Sequence, residues 1–308
     1  MRIAGAGIVL LSAVLLSCWA LRIQFGDTSL ADVRTAMHAQ PAWHLLAALS
    51  LTGVSFLALA MNDLLGVSVV VPRRVPGWVA LLAGSTADAV SNTLGFPALT
   101  GSLVRARVYL KFGLTVAEVA RIVSITWLTL ALGVATVLAT SELMRAFVGA
   151  HDVVSLGMGL SIAAVLLLFV RWLATGERQI TVFGFRQPMP SVRMALVLMG
   201  TGSVETAAAF GALYILLPPD LAPPFGQFAV GCIAAVSLGV AAHVPGGVGV
   251  FEAAVTAMLS GEGRADLLSA LLLYRLIYNV LPFALSVAAL GLFSRAQRDE
   301  IATREDLP

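Results

Sequence analysis

Asp88, Glu205, His243, Glu252 and Arg275 each interrupt an otherwise apolar stretch of this 308-residue chain. Asp88 stands one helical turn before Asn92, Glu205 lies beside Ser203 and Thr206, and His243 and Glu252 flank Pro245-Gly246-Gly247. Arg275 has Tyr274 before it and Tyr278-Asn279 after it. A charge in hydrocarbon costs about 2.5–3.5 kcal/mol on insertion scales, so one that is kept there serves binding or pairs with another charge. The chemistry open to this set is recognition of a charged group. Glycines in the PGGVG turn (245–249) let backbone approach a ligand, and a helix starting near Val250 would aim N–H groups and its positive end at an anion. Arg275, with Arg105 and Arg107, offers guanidinium forks that fit a phosphate. Glu252 suits an ammonium group or, equally, an ion pair with Arg275 that closes the turn against the last helix. Asp88 and Glu205 admit the same two readings, headgroup contact or helix-to-helix pairing.

Covalent catalysis has no such support. His38, His44, His151 and His243 form no metal spacing, and no nucleotide-binding glycine motif or Ser/His/Asp arrangement stands in the sequence. We therefore expect no enzyme, no cofactor and no metal.

The elements that position these residues must be membrane helices. Hydrophobic residues make up 59% of the chain and charged ones only 12%, with a mean hydropathy of +0.93. Soluble domains carry about 25% charged residues, and this excess of apolar surface exceeds what a core of this size can bury. That excludes a soluble enzyme, a disordered chain and a secreted disulfide scaffold. The net charge of +2 is spread over short loops and points to no nucleic acid. Cys18 and Cys232 fall inside apolar runs and read as small hydrophobes.

The sequence predicts an all-α integral membrane protein with about eight membrane segments, near 3–21, 43–65, 78–95, 115–140, 153–173, 192–217, 225–244 and 266–293. The first could be a signal peptide, and Leu15-Leu16-Ser17-Cys18 approximates a lipoprotein cleavage box, but 3–21 is long enough to span and we read it as an uncleaved helix. The runs at 78–95 and 225–244 each end in Pro and Gly and continue, with no hydrophilic loop, into a short amphipathic segment. Broken backbone at membrane depth is tolerated only where protein or a water-filled cavity satisfies it. We expect both to be re-entrant helical hairpins, leaving six full crossings. With both termini inside, this topology puts most basic residues on the cytoplasmic side, leaving Arg22, Arg34, Arg145 and Arg264 outside and Arg275 within the membrane. The hairpins then open to opposite sides. Pro97 precedes Gly101 by four residues and Pro245 precedes Gly249 by four, which suggests an inverted repeat with halves at about 1–150 and 151–293. Residues 174–190 read as a small cytoplasmic hairpin around Phe183-Gly184, and 294–308 as a polar cytoplasmic tail too short to fold.

Three stretches in this order, SNTLGFPALTGSLVRARVYLKFGLT, HVPGGVGVFE and YRLIYNVLP, resemble the transmembrane flippase half of bacterial lysylphosphatidylglycerol flippase/synthetases, the multiple peptide resistance factor family. The resemblance extends over essentially the whole chain. It implies a flippase-like domain over 1–293 in a bacterial cytoplasmic membrane, moving an aminoacylated phospholipid between leaflets, where added positive charge weakens cationic antimicrobial peptides. It maps functional weight onto Asn92, Gly95, Gly101, Arg105, Pro245, Gly246, Gly247, Gly249, Glu252, Tyr274 and Arg275. The family's aminoacyl-transferase domain has no counterpart before Pro308, so we expect the chain not to make the lysyl lipid itself. Hopanoid or polyprenyl-linked cargo, or a non-transporting role beside a lipid synthase or glycosyltransferase, are the alternatives. Expected partners are a membrane phospholipid (aminoacyl-phosphatidylglycerol or another anionic lipid), with a separately encoded synthase and a homo-oligomer left open. Without a nucleotide motif, transport is downhill or coupled to ions through Asp88, Glu205 or Glu252.

Overall fold

A computed structural model describes residues 30–148, 152–176, 179–182, 185–242 and 244–305. The expected first crossing at 3–21, with Cys18, and also His151, Phe183-Gly184 and His243 lie outside these residues. Within hydrocarbon a backbone must pair its own amides, so long apolar runs become helices. After a short α1 (Leu30–Ala39), α2 (Ala42–Val70) starts behind Pro41. Next come α3 (Gly77–Leu94), α4 (Pro97–Tyr109), α5 (Val116–Val148) and α6 (Val153–Ala174). Strands β1 (Gln179–Val182) and β2 (Phe185–Pro188) pair antiparallel, as the alternating pattern at 174–190 predicts. They lead to α7 (Val192–Tyr214), α8 (Phe225–Ala241) and the nine-residue α9 (Val250–Met258). The last rod joins α10 (Ala265–Tyr274) through a π-helical turn (Arg275–Val280) to α11 (Leu281–Glu305).

Among the described residues five helices are long and apolar enough to cross a membrane: Ala42–Val70, Val116–Phe147, Val153–Ala174, Val192–Tyr214 and Ala265–Phe293. These coincide with the apolar runs expected to cross. One expectation fails at the C-terminal end: the helix continues to Glu305 instead of ending near Phe293. The polar stretch is made of good helix formers such as Arg, Ala, Gln and Glu, so it extends the rod at little cost once α11 has nucleated it.

Local sequence sets the helix starts. The Asp152 carboxylate caps α6 by accepting from the Val154 and Ser155 amides at 3.0 and 3.3 Å and from the Ser155 hydroxyl at 2.7 Å. These bonds, the Ser155 hydroxyl first, hold the Asp152 carboxyl below the usual range. Ser191 caps α7 through the Met194 amide. On the loop side of α10, Arg264 bridges Asp220 (2.8 Å) and Asp266 (2.7 Å), and its hydrogen bond lowers the Asp220 carboxyl.

The frame is α2, α5 and α7. Helix α7 packs against both α2 and α5, while α6 lies outside on α5 with Leu160, Val165, Leu167 and Leu168 exposed, as a lipid-facing helix requires. Helices α5 and α7 cross with backbones touching, since a Cβ on Gly133 would overlap the main chain of Gly202 and one on Gly202 the carbonyl of Thr129. Gly202→Leu is therefore expected to cost the upper end of overpacking, about 3 kcal/mol, in unfolding of the detergent-purified protein. Gly200, which has open space at its Cβ position, tolerates the same change.

Two cores hold the two broken segments. Val79, Ala83, Val108, Tyr109 and Ile122 pack around α3 and α4, and Phe228, Cys232, Phe251, Val255, Leu271 and Tyr274 around α8 to α10.

Candidate functional site

The α3–α4 pair breaks at Gly95-Phe96. Gly95 (φ 76°) ends α3, with its amide on the Ser91 carbonyl at 2.8 Å, and Pro97 starts α4 at the position where its missing N–H costs nothing. The return brings Arg105 back between α2 and α3. Its Nε and Nη2 donate to Asp63 Oδ2 at 2.8 and 2.6 Å, and Nη2 also reaches both oxygens of Asp88 at 3.0 Å. Tyr109 donates its hydroxyl to Asp63 Oδ1 at 2.7 Å. Asp63, Tyr109 and Arg105 are 0%, 0% and 4% exposed, so the cluster lies inside the protein. Two glycines clear its seat: a Cβ on Gly84 would fall 2.7 Å from Asp63 Cβ, and one on Gly101 3.0 Å from Arg105 Nη1.

This corrects the reading of Arg105 as a guanidinium open to phosphate. Its charge is met by two carboxylates of the protein itself. Arg107, two residues on, points to the exposed side of α4 and does not join it.

The second break runs through Pro245-Gly246-Gly247 before α9. Gly246 (φ 62°) must be glycine twice over, for its left-handed backbone and because a Cβ would lie 2.9 Å from the Thr93 carbonyl oxygen. The two breaks thus meet tip to tip. Gly249 (φ 83°) precedes α9, and its amide donates to Glu252 Oε2 at 2.8 Å. The expectation that Gly246, Gly247 and Gly249 offer this helix start to an external anion is corrected accordingly: the anion seated there is Glu252. Arg275 completes the closure, with Nε on Glu252 Oε1 at 2.5 Å and Nη1 on the Gly246 carbonyl at 2.8 Å. Of the two readings of Glu252, the structure shows the ion pair.

The π turn holds both tips at once. Arg275 binds the second break, while Asn279 donates Nδ2 to the Asn92 carbonyl at 2.9 Å and accepts at its own carbonyl from Thr93 Oγ1 at 3.1 Å. Asn92 contributes backbone here, and its side-chain amide makes no hydrogen bond among the described residues. Tyr274 stacks between Phe251 and Tyr278, at centroid distances of 6.2 and 5.2 Å, and the Tyr278 hydroxyl pairs with Ser55 of α2 at 2.8 Å. π turns recur at functional positions because they re-aim side chains without ending a helix.

Glu205 stands apart. It is 8% exposed on α7, and its Oε2 accepts from Thr206 Oγ1 at 3.0 Å. Among the described residues it has no cationic partner, whereas Asp63, Asp88, Glu142 and Glu252 each face an arginine. It lies within Coulombic reach of Asp88, Tyr274 and Tyr278.

The structure therefore gathers the expected residues into two places. Asp88 and Arg105 form one cluster, and Gly246, Gly247, Gly249, Glu252, Tyr274 and Arg275 the other, with Glu205 buried on α7. Asp63, Thr93 and Ser55 are partners that the sequence did not single out.

No family model matches the chain. It is 28% identical over 228 residues to the uncharacterized protein slr0712 of Synechocystis sp., across 70% of this chain and 68% of that protein. It is 31% identical over 196 residues to the inner membrane protein YbhN of Escherichia coli K12, across 60% of each. The apolar helices and the inner-membrane relative agree that the chain is a mainly α-helical, multi-pass membrane protein.

Proposed function

We propose that the protein is a lipid flippase-like transporter of a bacterial cytoplasmic membrane that passes an aminoacylated, lysylphosphatidylglycerol-like phospholipid between leaflets. In this reading α3–α4 and α8–α9 are re-entrant hairpins of an inverted repeat, entering from opposite sides, and both termini are cytoplasmic. The inner-membrane relative in Escherichia coli supports the location. The observation that carries the reading is the charge balance between the hairpins. Among the described residues Asp63, Asp88 and Glu252 share Arg105 and Arg275, and Glu205 has no cation, so the described interior is short of positive charge. Such a site repels a bare phosphate headgroup and attracts one that carries an ammonium. The amine of the aminoacyl group meets Glu205 and Asp88, while Arg107 on the exposed side of α4 meets lipid phosphate at the membrane surface.

Reconstituted liposomes carrying fluorescent lysylphosphatidylglycerol or phosphatidylglycerol test this, with leaflet position read by an impermeant quencher. The protein is expected to speed the lysyl lipid over its parent. Glu205→Gln removes a charge-assisted contact worth about 1.5–3 kcal/mol, which is roughly a tenfold to hundredfold loss of rate. Equal rates for the two lipids would count against an amine-selective site.

A further inference from the structure

Glu205 poses a problem that the proposed cargo solves only while cargo is bound. Its carboxylate is more than nine-tenths buried, it accepts one hydrogen bond from a neutral hydroxyl, and no cation among the described residues faces it. A lone anion in such a place is too costly to persist. Asp88 deepens the deficit. Asp63 takes two Arg105 donors and the Tyr109 hydroxyl, whereas both oxygens of Asp88 depend on one nitrogen, Nη2, at 3.0 Å, and its side chain stays 20% exposed.

The charged and titratable groups around Glu205 leave this deficit in place. From α2, Asp63 is committed to Arg105. From the last rod come Tyr274, Tyr278 and Arg275, the latter committed to Glu252 of α9. Helix α8 brings Cys232, and α5 carries Glu118 and Arg121 toward its start and Glu142, paired with Arg145, toward its end. Among the described residues no group of three acidic, His or Cys side chains could hold a metal ion, and the single carboxylate of Glu205 balances one positive charge.

We propose that Glu205 binds an inorganic monovalent cation, a proton or sodium, in exchange with the amine of the lipid headgroup. Both cations would take the one carboxylate of Glu205, so arrival of the amine there expels the small cation and departure of the amine lets it return. Lipid movement is then coupled to counter-movement of the ion, which supplies a driving force without a nucleotide. The cation site stands on the structure alone, and the exchange rests on the lipid reading above.

Dicyclohexylcarbodiimide, which adds to a protonated buried carboxyl, reads the site directly in the full-length protein in nanodiscs of phosphatidylglycerol and phosphatidylcholine. Mass spectrometry is expected to find Glu205 labelled in sodium-free buffer, with Glu252 unlabelled beside Arg275, and Glu205→Gln to remove that label. A rate that falls several-fold as pH rises, with sodium inert, identifies the proton; several-fold protection by sodium at fixed pH identifies sodium. Lysylphosphatidylglycerol added to the nanodisc protects Glu205 several-fold. Absence of label from mildly acidic to alkaline pH, or labelling indifferent to both pH and sodium, overturns the cation site. Labelling that answers to cations but not to the lysyl lipid keeps the cation site and overturns the exchange, and with it the amine-carrying cargo.

Discussion

Arg105→Ala destabilises the protein by about 3–5 kcal/mol, the cost of removing one partner from a buried ion pair. The loss is large because Asp63 is fully enclosed and would keep only the Tyr109 hydroxyl, while Asp88 would lose its donor altogether. Urea or SDS unfolding of the purified protein in detergent measures it. Arg107→Ala, on the same helix but at an exposed position, changes the same midpoint by no more than about 0.5 kcal/mol. Arg105→Lys falls between, since a lysine keeps the charge but cannot span Nε and Nη2 to two carboxylates. Equal midpoints for Arg105→Ala and Arg107→Ala would show that the cluster does not hold α2, α3 and α4 together.

Arg275→Ala releases the other closure. It removes the bonds to Glu252 and to the Gly246 carbonyl, leaving Glu252 buried at the start of α9 with only the Gly249 amide. The expected cost is again about 3–5 kcal/mol, accompanied by faster amide hydrogen exchange across the glycine turn. A double-mutant cycle separates pairing from general damage. With Glu252→Gln already present, Arg275→Ala costs less by about 0.5–3 kcal/mol, the coupling expected of residues in contact. Full additivity, with unchanged exchange at the turn, would mean that the pair does not latch the break.

The crossings were legible because hydrocarbon enforces them: a run of apolar residues long enough to span has no structure open to it but a helix. The breaks were legible for the converse reason, since Pro97, Pro245 and their glycines cannot continue one. The partners were not. Asp63 lies near the end of what reads as a run to residue 65, where an acidic residue looks interfacial; the helix continues to Val70 and carries it inward. Arg105 stands two residues from Arg107 and reads in sequence as its equal, and only the approach of α2, over the space left by Gly84 and Gly101, buries it. The Glu252–Arg275 pair was foreseeable as one of two readings, because an acid at a helix start and a lone arginine in a span each lack a better partner. The π turn leaves no trace in composition or periodicity.

That turn carries an angular consequence. An α-helix advances about 100° per residue, and a π turn accommodates one residue beyond the ordinary count. Val280 and its neighbours therefore set the phase between α10, which aims Tyr274 and Arg275 at the second break, and α11, which sets Phe293 against Trp78 and Phe112. In an unbroken α-helix one added residue would rotate everything after it by about 100°; taken up in the wide turn, it leaves Phe293 facing those rings. Within 275–280 the surplus residue is absorbed where it stands, so the helix bends its own count and keeps its two ends in register.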